Sequence, residues 1–147
     1  MIFVKPQLAK TATDRSIEAL GGSYVMEIKL DGHRRLMGRD VAWSRIGKDH
    51  SHPDIQSQIP EGWLFDGEIV PVDCDASSNV VSHYLSECPE KLKFVAFDVL
   101  WTAGQDIQGQ DWAFRRAVLE GFFSTVLDSN GLRCPRSTTL EQLRLRR

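Results

Sequence analysis

The chain has 147 residues, enough for one domain with a real hydrophobic core. Its 18 Lys and Arg against 20 Asp and Glu leave a net charge of −2, which excludes the global basic field of a general nucleic-acid binder and confines any polyanion site to a local patch. Cys74, Cys88 and Cys134 lack C-x-x-C spacing and cannot all pair, so neither a disulfide framework nor a zinc site is expected.

The opening MIFVKPQLAK has no sustained apolar core, and no stretch approaches the roughly 18 apolar residues of a membrane span. With cysteine usage that suits a reducing compartment, the expectation is a cytoplasmic or host-intracellular protein that is not secreted. Thr13 or Asp14 can cap a short helix, DRSIEAL, that stops at Gly21-Gly22. Tyr24, Met26, Ile28 and Leu30 then alternate with Val25, Glu27 and Lys29, the period of a strand, which sets Glu27 and Lys29 on one face. The following Asp31-Gly32 reads as a tight turn. A further strand is predicted around Arg35 to Trp43, with Gly38, Arg39 and Asp40 resembling a turn, and SRIGKDHSHPDI reads as a polar loop.

WLFDGEIVPV, Trp63 to Val72, is strand-like on both flanks of Asp66-Gly67, with Pro71 at its end or on an edge. Residues 73–93 are polar and irregular, with a short helical turn near Val80 to Leu85. FVAFDVLW, Phe94 to Trp101, is an almost unbroken apolar run of strand length and predicts a central buried strand. Asp111 can cap a helix in which Trp112, Leu119, Phe122 or Phe123, and Val126 recur at helical spacing and should pack on the sheet. Thr138 and Glu141 have capping-box spacing. The cluster Asp49, His50, His52 and Asp54 reads as a surface loop rather than a metal site, and Arg144, Arg146 and Arg147 as a solvated tail.

Four segments occur in a fixed order: EIKLDGHR, SRIG, FDGEIV and FVAFDVL. Four set positions in K-x-D-G-x-R arise by composition alone in roughly one chain per thousand of this length. Together the segments resemble the covalent nucleotidyltransferases, and within them the ATP-dependent DNA ligases, over about residues 5–120. Residues 121–147 diverge from the pattern. The resemblance implies an α+β fold: a mainly antiparallel twisted sheet with flanking helices, the ATP-grasp-like adenylation domain of a DNA ligase, here truncated and without the OB-fold domain that usually follows.

The resemblance also implies roles. Lys29 would be the nucleophile that forms lysyl-AMP, and Glu27 would contact the adenine amino group. Arg34 would hold the ribose and its neighbours, Arg45 phosphate or ribose oxygens, and Phe97 would stack on the base. Glu68 would lie near the ribose and the divalent metal. The cofactors would be ATP and Mg²⁺ or Mn²⁺, and the DNA partner a nicked double strand, sealed in replication, repair or recombination. The chemistry suits these residue types: an amine nucleophile must be neutral, which neighbouring positive charge promotes, and a hard cation prefers carboxylate oxygen. Asp31 fixes the turn rather than reacting, and Asp98 needs a backbone or basic partner if buried. Capping enzymes and RNA ligases share K-x-D-G, but Arg34 and SRIG favour DNA ligases.

Two further family segments expected downstream of Phe97, E-G-hydrophobic-V-K and K-x-K, do not occur there. An alternative therefore stands beside the first reading: a non-catalytic remnant, or one subunit of a split enzyme completed by a polypeptide carrying those segments.

Overall fold

The computed structural model describes residues 3–8, 10–19, 25, 27–72, 78–125 and 132–133. It divides into two compact units, one of Met1–Pro6 with Leu30–Cys134 and another of Gln7–Lys29 with Pro135–Arg147. In the smaller unit, α1 (Asp14–Glu18) starts as its sequence dictates. Thr13 caps it, and a reciprocal capping box with Ser16 satisfies a free N–H in each direction. The expected stop at Gly21-Gly22 and the Thr138 to Glu141 capping box lie outside the described residues.

The larger unit is built on a sheet of β1 (His33–Met37), β2 (Ala42–Ser44), β3 (Leu64–Pro71), β4 (Leu92–Thr102) and β5 (Gln105–Asp106), in the order β2-β1-β3-β4-β5. Every neighbouring pair along this path is antiparallel, while β6 (Leu132–Arg133) pairs parallel with β4. The helices are α2 (Pro53–Gln56), α3 (Ser78–Glu87) and α4 (Trp112–Thr125), with a 3₁₀ turn at Pro89–Lys91. This is the α+β, mainly antiparallel arrangement that the sequence predicts.

Strand alternation sorts the side chains onto two faces. Met37, Phe65, Ile69, Phe94, Ala96 and Val99 form a core with Ile55, Val81, Leu119 and Phe122. Leu36, Leu64 and Leu100 form a smaller cluster with Phe3, Val4 and Trp43 on the opposite face. Phe65 and Phe94 are fully buried, each stabilising by roughly 1.5–3 kcal/mol. β4 carries two extra residues relative to β3: Leu100 falls between the pairs Leu64–Trp101 and Phe65–Val99, and Phe97 between Asp66–Asp98 and Gly67–Ala96. Such bulges re-aim side chains, and here one of them sets the orientation of Phe97.

Several expectations are corrected. Val25 and Glu27–Leu30 lie in no strand, and Ile28 is 77% exposed where the alternation would bury it. The apolar period of that segment is present without strand structure among its described residues. The predicted strand from Arg35 to Trp43 is instead two strands joined by a turn at Gly38–Val41, closed by the Gly38 N–H to Val41 carbonyl bond of 2.9 Å. SRIGKDHSHPDI is not all loop, since it ends in α2, which Pro53 starts and whose Ile55 and Gln56 are buried. α4 is capped by Asp111, whose carboxylate accepts from Phe114 N–H at 2.7 Å, but Trp112 is 40% exposed and does not join its packed face.

Candidate active site

Arg34 and Glu68 face one another across the β1–β3 pair, on the side of the sheet that carries Leu36. The Arg34 guanidinium forms a bidentate pair with Asp66, Nε to Oδ1 at 2.9 Å and Nη2 to Oδ2 at 2.7 Å. The Asp66 side chain is only 6% exposed. Burial pushes its pKa up, and the Arg34 contact pulls it back part of the way. For Arg34 the hydrogen bond to Asp66 dominates and strengthens its hold on the proton, so the pair is ionic.

Glu68 is half-buried, and its Oε1 accepts the Gly32 N–H at 3.1 Å. That bond joins the start of β1 to β3. A Cβ at Gly32 would lie 2.2 Å from the Ile69 carbonyl oxygen, so no side chain fits where the backbones approach. Burial raises the Glu68 carboxyl, against the opposing pull of the Gly32 N–H and Arg34.

The third strand supplies Phe97, whose ring centroid lies 5.4 Å from Arg34 Cζ, a cation–π contact. Only partly buried, Phe97 is no ordinary core residue. Its neighbour Asp98 finds both kinds of partner that its chemistry demands: it accepts from Val99 N–H at 2.8 Å and from Arg115 Nε and Nη2 at 2.8 and 2.9 Å. Arg115 also donates to the Gln110 carbonyl at 2.6 Å, tying the start of α4 to the bulge.

Of the residues singled out from the sequence, Arg34, Glu68 and Phe97 are thus brought together on three adjacent strands. Arg45 stands exposed on the turn after β2, with no ion pair among the described residues. Glu27 and Lys29 are exposed and belong to the smaller unit. Asp31-Gly32, expected as a tight turn, bends at Gly32 and leads into β1, and none of the described residues just before it lies in a strand. Asp66 and Arg115 escaped the sequence reading. For Asp66 the signal was a second carboxylate beside Glu68 in a strand whose other residues are apolar or glycine, and for Arg115 an arginine one helical turn beyond the Asp111 cap. Arg144, Arg146 and Arg147 lie outside the described residues.

Among the described residues no group of three His, Cys, Asp or Glu could hold a metal. Glu68 alone fits the sparser mode in which Mg²⁺ takes one carboxylate and completes its shell with water and phosphate oxygen.

No protein-family model matches the chain. A DNA ligase from Pyrobaculum neutrophilum is 31% identical over an alignment of 137 positions that covers 77% of this chain and 24% of that protein. The ligase domain of LigD from M. tuberculosis superposes with a TM-score of 0.59 and 24% identity, over 77% of this chain and 39% of that one. The chain belongs with the ATP-dependent DNA ligases, as part of their nucleotidyltransferase domain. A Lig E DNA ligase gives a TM-score of 0.63 at 20% identity over 99% of this chain and 59% of its own. The chain therefore spans about a quarter of the length of the curated relative it matches, and 39% and 59% of the two solved ligase chains.

Proposed function

We propose that the chain carries the nucleotide-binding half of an ATP-dependent DNA ligase active site, and that Lys29 takes AMP from ATP for the sealing of nicked double-stranded DNA. The observation that supports it most is the meeting of Arg34, Glu68 and Phe97 on one face of three adjacent strands, in a chain whose order of motifs and fold are those of DNA ligases. A mycobacterial DNA ligase D of this fold has been solved with ATP.

In the first step the Lys29 amine attacks the α-phosphorus of ATP. A P–N bond forms, the bond to the bridging oxygen breaks, pyrophosphate leaves, and the amine's proton passes to solvent. In the sequence, Lys29 is separated from Gly32 by only two residues. Arg34 supplies positive charge that favours negative phosphate oxygens. Phe97 presents a ring to the base, Glu27 accepts from the adenine amino group, and Arg45 donates to ribose or phosphate oxygens. A divalent ion held at Glu68 would neutralise charge on the phosphates. AMP would then pass to the DNA 5′-phosphate, and the 3′-hydroxyl would close the nick and release it.

Residues after Phe97 contain neither E-G-hydrophobic-V-K nor K-x-K, which is compatible with a second reading in which the chain binds nucleotide but needs a complementing polypeptide to react. Incubation with α-labelled ATP and Mg²⁺ or Mn²⁺ separates the two. Label that survives denaturation and disappears in Lys29→Ala supports autonomous adenylation. A folded protein that takes no label under either metal sinks it and favours the second reading.

A further inference from the structure

Arg35, next to Arg34, points to the other face of β1, the side of Met37 and the helices. It is 5% exposed, and no carboxylate pairs with it among the described residues. Its Nη1 donates to the Arg34 carbonyl at 2.9 Å, while its Nε is buried with no acceptor. A buried guanidinium with an unmet donor is costly unless something supplies the oxygen.

The neighbourhood is basic. Arg35 pairs in register with Ser44 of β2 and Gly67 of β3. Beyond β2 the chain returns alongside it, with Asp49 bridged to Trp43 and His50 N–H bonded to the Ala42 carbonyl at 2.8 Å. Trp43 packs with Leu36 on the opposite face, so Lys48 and His50, flanking Asp49, share the face of Arg35. Both are exposed, which leads from the buried guanidinium toward solvent. His33 is two residues before Arg35 on the same face, and its Nε2 lies 3.4 Å from Ser82 Oγ of α3. His52 adds a second buried nitrogen without a partner, Nε2.

We propose that Arg35, with Lys48, His50, His33 and His52, forms an oxyanion site that takes a phosphate group, separate from the Arg34–Glu68 cluster on the other face. Arg35 Nε would donate to the oxyanion, and the exposed Lys48 and His50 would admit it. The imidazoles are held below their ordinary pKa, His52 at about 4, first by burial and then by the Arg35 charge. An anion that offsets that charge lets them take up protons, so binding tightens as the pH falls. Carboxylates within electrostatic range are Glu68 toward Arg35 and Asp49 toward His50, and neither fills the guanidinium's vacant donor.

Phosphate of this kind is either a free oxyanion or a phosphodiester of a nucleic acid. The test is a titration of the whole chain followed by the Arg35 Nε–H resonance, with sulfate as a dianion whose charge does not change with pH. Saturable movement of Arg35 Nε–H, without parallel movement of exposed Arg39, is expected, with affinity about tenfold tighter in mild acid, the size of one charge-assisted hydrogen bond. Displacement of sulfate by a DNA duplex assigns the site to the polymer backbone, and displacement by inorganic phosphate alone assigns it to a free anion. An unmoved Arg35 signal, or one that moves only as Arg39 does, overturns the proposal. Arg35→Met should abolish saturation. Should it fail to fold, Lys48→Met must weaken sulfate binding, and unchanged affinity there also overturns the site.

Discussion

The chain contains Asp-Gly twice, and the two copies have different tasks. Asp66-Gly67 lies inside β3, where Asp66 is buried against Arg34 and Gly67 lies under the ring of Phe94. Asp31-Gly32 lies just before β1, with Asp31 exposed and the Gly32 N–H bonded to Glu68. Neither glycine adopts the left-handed backbone that marks Gly47, Gly62 and Gly104. Both are needed because another backbone comes too close for a side chain, which makes the dipeptide a sign of close approach here rather than of a turn.

The contrast is most exposed to test at Gly67. A Cβ there would lie 2.5 Å from the Val95 carbonyl oxygen and 2.5 Å from Phe94 Cζ, inside the central β3–β4 pair where nothing can retreat. Gly67→Ala should destabilise the chain by about 3 kcal/mol or more, read from the urea midpoint by tryptophan fluorescence. A loss under about 1 kcal/mol would show that the strands part easily and that the close-approach account is wrong. Asp66→Ala ranks next. It leaves the partly buried Arg34 guanidinium without its bidentate partner, at a cost of about 2–4 kcal/mol, whereas Asp66→Asn keeps an acceptor and should lose less in the same titration.

These long-range partners explain what the sequence could and could not disclose. The buried strand at FVAFDVLW, the Thr13 and Asp111 caps and the turn at Gly38 to Asp40 were readable because each depends on neighbours within a few residues. Arg34, Glu68 and Phe97 were singled out through motif order, and the fold brings them together. The bulge that re-aims Phe97 was not readable, since it exists only in the register between β3 and β4. Arg115 and Asp98 are 17 residues apart in the chain and meet across a helix–strand contact that no local pattern encodes. The segment before Lys29 had a strand's period, yet period alone does not make a strand, and its described residues lie in none.

Gly32→Ala tests the other copy. Its Cβ would approach the Ile69 carbonyl even more closely, but residues 27–31 just before it lie in no strand, so fewer backbone bonds oppose a local shift than at Gly67. The expected cost is about 1–2 kcal/mol, less than at Gly67. The larger consequence falls on chemistry: displacing the Gly32 N–H from Glu68 should lower the labelling of Lys29 by α-labelled ATP about tenfold in the folded variant. Equal losses of stability at the two glycines, with labelling intact at Gly32, would erase the distinction between a structural and a site-building Asp-Gly.

The smallest expected effect has the opposite sign. The Glu68 carboxyl is raised by burial, so the folded protein favours its protonated form more than the unfolded chain does. The ionised carboxylate therefore costs stability above its folded pKa, and acid relieves that cost as the pH falls from the folded pKa to the unfolded one. Glu68→Gln keeps an oxygen for the Gly32 N–H and removes the charge. It should stabilise the chain at neutral pH by a few tenths to about 1 kcal/mol after solvent screening, with the gain fading in acid as wild-type Glu68 protonates. The same variant should lose metal-dependent labelling of Lys29. A carboxylate whose removal stabilises the fold while ending the reaction is held there by function, whereas a variant less stable at neutral pH would make Glu68 a structural acceptor for Gly32 and nothing more.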